Sequence, residues 1–130
     1  MTATASKLRV KIPSRSKVFC MSHNDDADGL ASAALVRCAT QCRFALAGYE
    51  DIEKTLADAP RGLDWLIVTD LGLDEKRAVI NVLPSIAKRV LYVDHHMLSA
   101  ESKRALRKAG VFVRHSLKDC ASVLVWDLLR

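Results

Sequence analysis

Three short clusters hold most of the side chains in this chain that could do chemistry: Ser22-His23-Asn24-Asp25-Asp26-Ala27-Asp28-Gly29, then Asp70, then Asp94-His95-His96. Carboxylates gathered in one pocket repel one another, so a site holding Asp26, Asp28 and Asp70 is costly unless cations neutralise it. The imidazoles narrow the choice of cation. Magnesium and calcium favour all-oxygen shells, whereas a mixed carboxylate and histidine set suits manganese, iron, cobalt or zinc. Three acids with two or three histidines exceed what one ion needs. They point to a pair of divalent cations about 3.5–4 Å apart that share a carboxylate.

The elements that must position these residues alternate between short apolar runs and longer helical patterns. Strands are predicted over 17–22 (KVFCMS), 42–47 (CRFALA), 64–70 (DWLIVTD), 89–94 (RVLYVD) and 110–114 (GVFVR). Helices are predicted over 29–40, 49–57, 74–87 and 99–109, with a last one from about Asp119. Ser99 is a plausible N-cap, Gly110 a helix stop, and Pro84 a kink or early end. Near-continuous apolar strands require a sheet covered on both faces. The expected fold is therefore α/β, a doubly wound three-layer α/β/α domain with a mostly parallel five-stranded sheet. In such a sheet the carboxyl ends of the strands share one rim, and ligands bind where strand order reverses. All three clusters fall at predicted carboxyl ends of strands.

Two other readings of the acidic cluster fail. Asn24-x-Asp26-x-Asp28-Gly29 mimics the start of a calcium-binding EF-hand loop, but the twelfth position is Leu35, where a bidentate Glu is required. A phosphatase with an aspartate nucleophile would also begin with D-x-D after a strand, and would leave the paired histidines unexplained.

The formal charge of +5 is unevenly placed. Lys7, Arg9, Lys11, Arg15 and Lys17 come before any acid, and the remaining 15 basic side chains match the 15 acidic ones. Residues 1–16 are accordingly expected to be a basic, flexible arm and 17–130 the folded domain. Cys20, Cys38, Cys42 and Cys120 lack C-x-x-C spacing and are expected to be reduced core or near-core residues, with Cys38 and Cys42 a conceivable metal pair that nothing nearby completes. No apolar run approaches the roughly 20 residues a membrane span requires, so a cytoplasmic location away from membranes is expected.

The motifs SHNDDADGLASAALV, IVTD and VDHH, in that order, resemble the first three motifs of the DHH phosphoesterase superfamily, over about residues 17–130. That family includes RecJ-type single-strand exonucleases, oligonucleotide and cyclic-dinucleotide phosphodiesterases, exopolyphosphatases and manganese-dependent pyrophosphatases. The resemblance implies that His23 and Asp26 bind one metal, that Asp28 and His95 bind a second, and that Asp70 bridges both. It further implies that His96 meets the scissile phosphate or helps the leaving group, that Asp94 orients a neighbouring histidine, and that His115 is a candidate substrate contact. Two manganese ions are the implied cofactors, with magnesium or cobalt as alternatives.

His23 stands three residues before Asp26, whereas family members place their first histidine or acid two or four residues ahead; Asp25 is the alternative ligand. The family's fourth motif and its smaller substrate-binding domain are not represented, so the chain is expected to be a fragment, a short relative that borrows a partner chain, or an inactive form. The DADGLASAAL form of the first motif is nearer the RecJ-like branch, which implies an oligonucleotide or single-stranded nucleic acid as substrate. A non-catalytic nucleic-acid or partner-binding module and a pyrophosphatase or polyphosphatase are the alternatives, and a homo-oligomer is compatible with each.

Overall fold

Alternation of side chains along the strands decides the architecture, described here for residues 9–130 in a computed structural model. In β1 (Val18–His23), Val18 and Cys20 point to one face, and Phe19 and Met21 to the other. β3 (Leu63–Thr69) divides in the same way, with Trp65 and Ile67 opposite Leu66 and Val68. In β4 (Ala87–Asp94), Leu91 and Val93 oppose Val90 and Tyr92. Both faces are apolar, so both must be covered.

Helices α1 (Ala27–Thr40) and α5 (Ala121–Leu129) cover one face through Ala33, Val36, Leu124, Val125 and Leu128. Helices α2 (Ile52–Ala57), α3 (Arg77–Ile86) and α4 (Ala100–Lys108) cover the other through residues such as Ile52, Leu56, Ile80, Leu83 and Leu106. With β2 (Arg43–Ala47) and β5 (Phe112–His115), the sheet has the order β2-β1-β3-β4-β5, and every pair is parallel. The chain moves one way from β1 to β2 and the other way thereafter. With a constant right-handed crossover, α1 must then lie opposite α2, α3 and α4, as it does. The reversal falls between β1 and β3, which opens a crevice at their carboxyl ends.

The three-layer α/β/α fold is the one expected from the sequence, with local differences. Helix α1 begins at Ala27 rather than Gly29, because the Asp26 side chain caps it by accepting the Gly29 N–H at 3.0 Å. Helix α3 runs two residues beyond Pro84, since only its final turn lies past the missing N–H. The segment after β2 opens with a short 3-10 turn, Tyr49–Asp51, ahead of α2. Ser99 does cap α4, accepting from Ser102 N–H at 3.1 Å. At the edge of the sheet, β2 leaves Phe44 and Leu46 exposed, so two-sided cover does not extend to that strand.

Cys20 and Cys42 are buried, whereas Cys38 and Cys120 are exposed and so are not core residues. Part of the basic arm, residues 1–8, lies outside the described residues. Farther along it, Val10 N–H donates to Leu128 O at 2.9 Å, and Val10 and Ile12 pack against the α1/α5 side of the core. Among the described residues, no helix is long and apolar enough to cross a membrane.

Of the glycines, Gly29 has the closest surroundings: a Cβ there would collide with the His23 carbonyl and come within 3.2 Å of Asp70 Oδ2. Backbone cannot yield as a flexible side chain would. Gly29→Ala is expected to lower stability by at least about 2 kcal/mol, whereas Leu30→Ala, at a 56% exposed neighbour, should have little effect. Urea-unfolding midpoints compare the two, and equal midpoints would show that the close approach does not constrain α1.

Candidate metal centre

Each strand on either side of the reversal delivers one of the clusters. His23 is the last residue of β1, Asp70 directly follows β3, and Asp94 is the last of β4, with His95 and His96 next. Two groups of side chains result, each with its ligand atoms within 4.8 Å of one another: His23, Asp26 and Asp70; and Asp70, Asp94, His95 and His96. Asp70 belongs to both.

Asp70 is fully buried, and its backbone sits in the left-handed region at φ 57°, which an aspartate adopts only at a cost of order 1–3 kcal/mol. Its N–H donates to Val93 O at 3.0 Å, which holds the turn to β4. Burial first, then the neighbouring carboxylates of Asp28 and Asp26, push its pKa up to about 7. His95 Nε2 donates to Asp70 Oδ1 at 2.9 Å and lies 3.4 Å from Asp28 Oδ2.

Asp26 is exposed, and its pKa is lowered by the Gly29 N–H that it accepts as helix cap. Asp28 lies outside both ligand groups. Its two oxygens accept N–H bonds from Ser122 at 2.8 Å and Ala121 at 2.9 Å, at the start of α5. Burial raises its pKa, yet those bonds and His95 outweigh burial and leave it lowered. Asp25 is exposed and joins neither group, so the geometry assembles His23 rather than its alternative with Asp26 and Asp70.

Asp94 is fully buried and acts on its own loop. It accepts from Tyr92 Oη at 3.0 Å, from His96 N–H at 3.1 Å and from His96 Nδ1 at 2.8 Å. That fixes the His96 ring and leaves its Nε2 directed away from the pair. His115 reaches neither group; its Nε2 donates to the His96 carbonyl, so it steadies the same loop from β5.

Two participants escape a reading by motif. Tyr92 receives the Leu73 N–H at 3.1 Å and shares its one hydroxyl proton between Leu71 O at 2.7 Å and Asp94, tying the exit of β3 to β4. The signal was a phenol in an otherwise aliphatic core strand, since a buried hydroxyl needs partners. Tyr49, just past β2, places its ring against His23.

The donor set suits a divalent cation on an independent count. Of the four buried side-chain polar atoms lacking a hydrogen-bond partner among the described residues, His23 Nδ1 and Asp70 Oδ2 fall in one ligand group. Leaving such atoms unsatisfied costs about 1–3 kcal/mol each, a cost that a cation held by His23 and Asp70 would offset. The mixture of carboxylate and imidazole is the one that first-row metals accept.

Fold and site together define a parallel α/β domain with an acid-and-histidine centre at its reversal point. The chain belongs to the DHH family: residues 17–130 match the family's N-terminal domain. That family is one of metal-dependent phosphoesterases. No curated protein matches the chain. Among solved structures, the fold is similar to that of an uncharacterized protein from Helicobacter pylori G27, with a TM-score of 0.57 and 21% identity over 85% of this chain and 34% of that one. The chain thus spans about a third of the length of the Helicobacter protein. A protein from Burkholderia pseudomallei described as pilus assembly-related is similar at a TM-score of 0.50 and 19% identity, over 94% of this chain and 98% of that one. At these identities the likeness concerns fold alone.

Asp70 sets a pH dependence for the metal-free protein. Its folded pKa of about 7 lies above the ordinary value of 3.8, so its contribution to stability is complete below about pH 4 and is lost as pH rises through 7. Unfolding free energy is expected to fall by roughly 1–4 kcal/mol across that window. Asp70→Asn should flatten the profile, and an unchanged slope in that variant would place the titration elsewhere.

Proposed function

We propose that this chain is the metal-binding domain of a phosphoesterase that hydrolyses phosphodiester bonds of oligonucleotides or single-stranded nucleic acid. The observation that carries the reading is the sharing of one buried carboxylate, Asp70, by two ligand groups on one rim. His23, Asp26 and Asp70 would hold one divalent ion, and Asp70 and His95 a second, which Asp28, outside the ligand group but 3.4 Å from His95 Nε2, would complete by turning from the α5 amides, with manganese the best match to the mixed donors. Ions held there would supply an activated water and neutralise charge on the phosphoryl oxygens.

The remaining work falls to the chain's own side chains. Asp94 accepts the Nδ1 proton of His96 and so leaves Nε2 to meet the phosphate or the leaving oxygen. His115 and Tyr92 keep that loop in place from either side. Asp28 stays ionised beside the start of α5 and adds negative charge next to His95. The DADGLASAAL form of the first cluster supports a nucleic-acid substrate.

Calorimetry is expected to show two manganese ions bound per chain. The longest natural form of the protein should release nucleotides from a short single-stranded oligomer only when manganese is present. Asp70→Asn should lower that rate by more than about 100-fold, the upper end of what losing an outer partner of a metal ligand costs. Phosphate release from pyrophosphate without cleavage of the oligomer would assign the site to the pyrophosphatase chemistry instead. Oligomer binding with neither metal uptake nor cleavage would make it a binding module.

A further inference from the structure

We infer that Tyr49 is a positioning residue that holds the His23 imidazole in its ligating orientation; the inference rests on the metal-centre reading above. Tyr49 lies outside the three motif clusters, yet it sits on the same rim, one glycine beyond β2. Its ring is 5.1 Å from the His23 ring, centroid to centroid, tilted at 52°. Its hydroxyl accepts the Gly72 N–H at 2.9 Å. The ammonium of Lys76 lies 5.6 Å from the centre of the ring, within cation–π range. A single side chain rooted at the exit of β2 thereby touches the exits of both β1 and β3. The fit at Gly72 is close, since a Cβ there would lie 3.3 Å from both the Tyr49 hydroxyl and His96 Cβ.

The three histidines of the centre differ in what orients them. His96 is fixed by Asp94, and His95 by Asp70. A ligating imidazole ordinarily needs such a partner to set its ring and tautomer. His23 has no comparable side-chain partner among the described residues, and its buried, unpartnered Nδ1 is the nitrogen left for an ion. An aromatic wall can fix a ring by contact where no carboxylate does, because edge-to-face and tilted pairs have preferred geometries. Tyr49 is that wall, and the bond from Gly72 together with Lys76 keeps the wall from swinging away.

The metal-free protein provides a readout that does not depend on hydrolysis. Three-bond couplings across the His23 Cα–Cβ bond should report one rotamer in the wild type and averaged rotamers in Tyr49→Ala. In manganese titrations, Tyr49→Ala should weaken the ion held by His23 by about ten-fold and the other ion by less than about two-fold, while Tyr49→Phe, which keeps the ring, should stay within about three-fold of wild type at both. His23→Ala identifies which of the two affinities belongs to the His23 group. Should Tyr49→Ala fail to fold, Tyr49→Leu, which retains bulk without a ring, is read in the same way. An unchanged His23 rotamer, or equal losses at both ions, overturns the inference. Wild-type protein that cleaves no phosphoester while Tyr49→Ala still releases His23 would overturn the proposed function and leave the role of Tyr49 standing.

Discussion

A carboxylate wholly shielded from water, with two further carboxylates beside it, is the condition to which the rest of this rim is adjusted. Asp70 ionises there only as the pH approaches neutrality, and burial and charge repulsion together account for its elevated pKa. The backbone holds it in a left-handed turn, so the side chain has no easy retreat toward solvent. What surrounds it is compensation: the His95 ring meets one oxygen, while the other oxygen, like the buried Nδ1 of His23 in the same ligand group, has no hydrogen-bond partner among the described residues. In such surroundings a divalent cation would offset the cost of the gathered carboxylates.

The fold brings that cluster together by topology alone. Because the sheet is parallel throughout, every strand releases its chain on the same side, and at the reversal the chain leaving β1 turns to one face and the chain leaving β3 to the other. The loops leaving β1 and β3 can then approach each other closely, and Gly29 lets α1 start directly beneath them. The histidine loop after β4 is tied back by Tyr92, so distance along the chain is turned into proximity by a few hydrogen bonds rather than by a long ordered loop.

Much of this was legible in the sequence, for identifiable reasons. Apolar runs such as LIV and VLYV leave no polar face, which is the mark of a strand buried on both sides; the acids and histidines at their ends then had to share a rim. Helix starts were less legible, because Asp26 serves as cap and candidate ligand at once, and its chemistry concealed its structural role. The exposed faces of Phe44 and Leu46 were hidden because nothing in a five-residue apolar run shows that the strand is at an edge. Asp28 could be placed near the centre by motif, but not its grip on α5, since that contact depends on how the last helix docks. Tyr49 carried no signal, being one aromatic in a polar segment.

The grip of Asp28 on the Ala121 amide joins positions 93 residues apart. During synthesis the strands that carry the acids emerge first, and closing so long a loop comes late because its entropy must be overcome before the contact rewards it. A half-made chain therefore carries this carboxylate free, without the two backbone donors that will later hold it. Helix α5 is in that sense the clasp of the site, and the pocket takes its final electrostatic form only once that helix has docked.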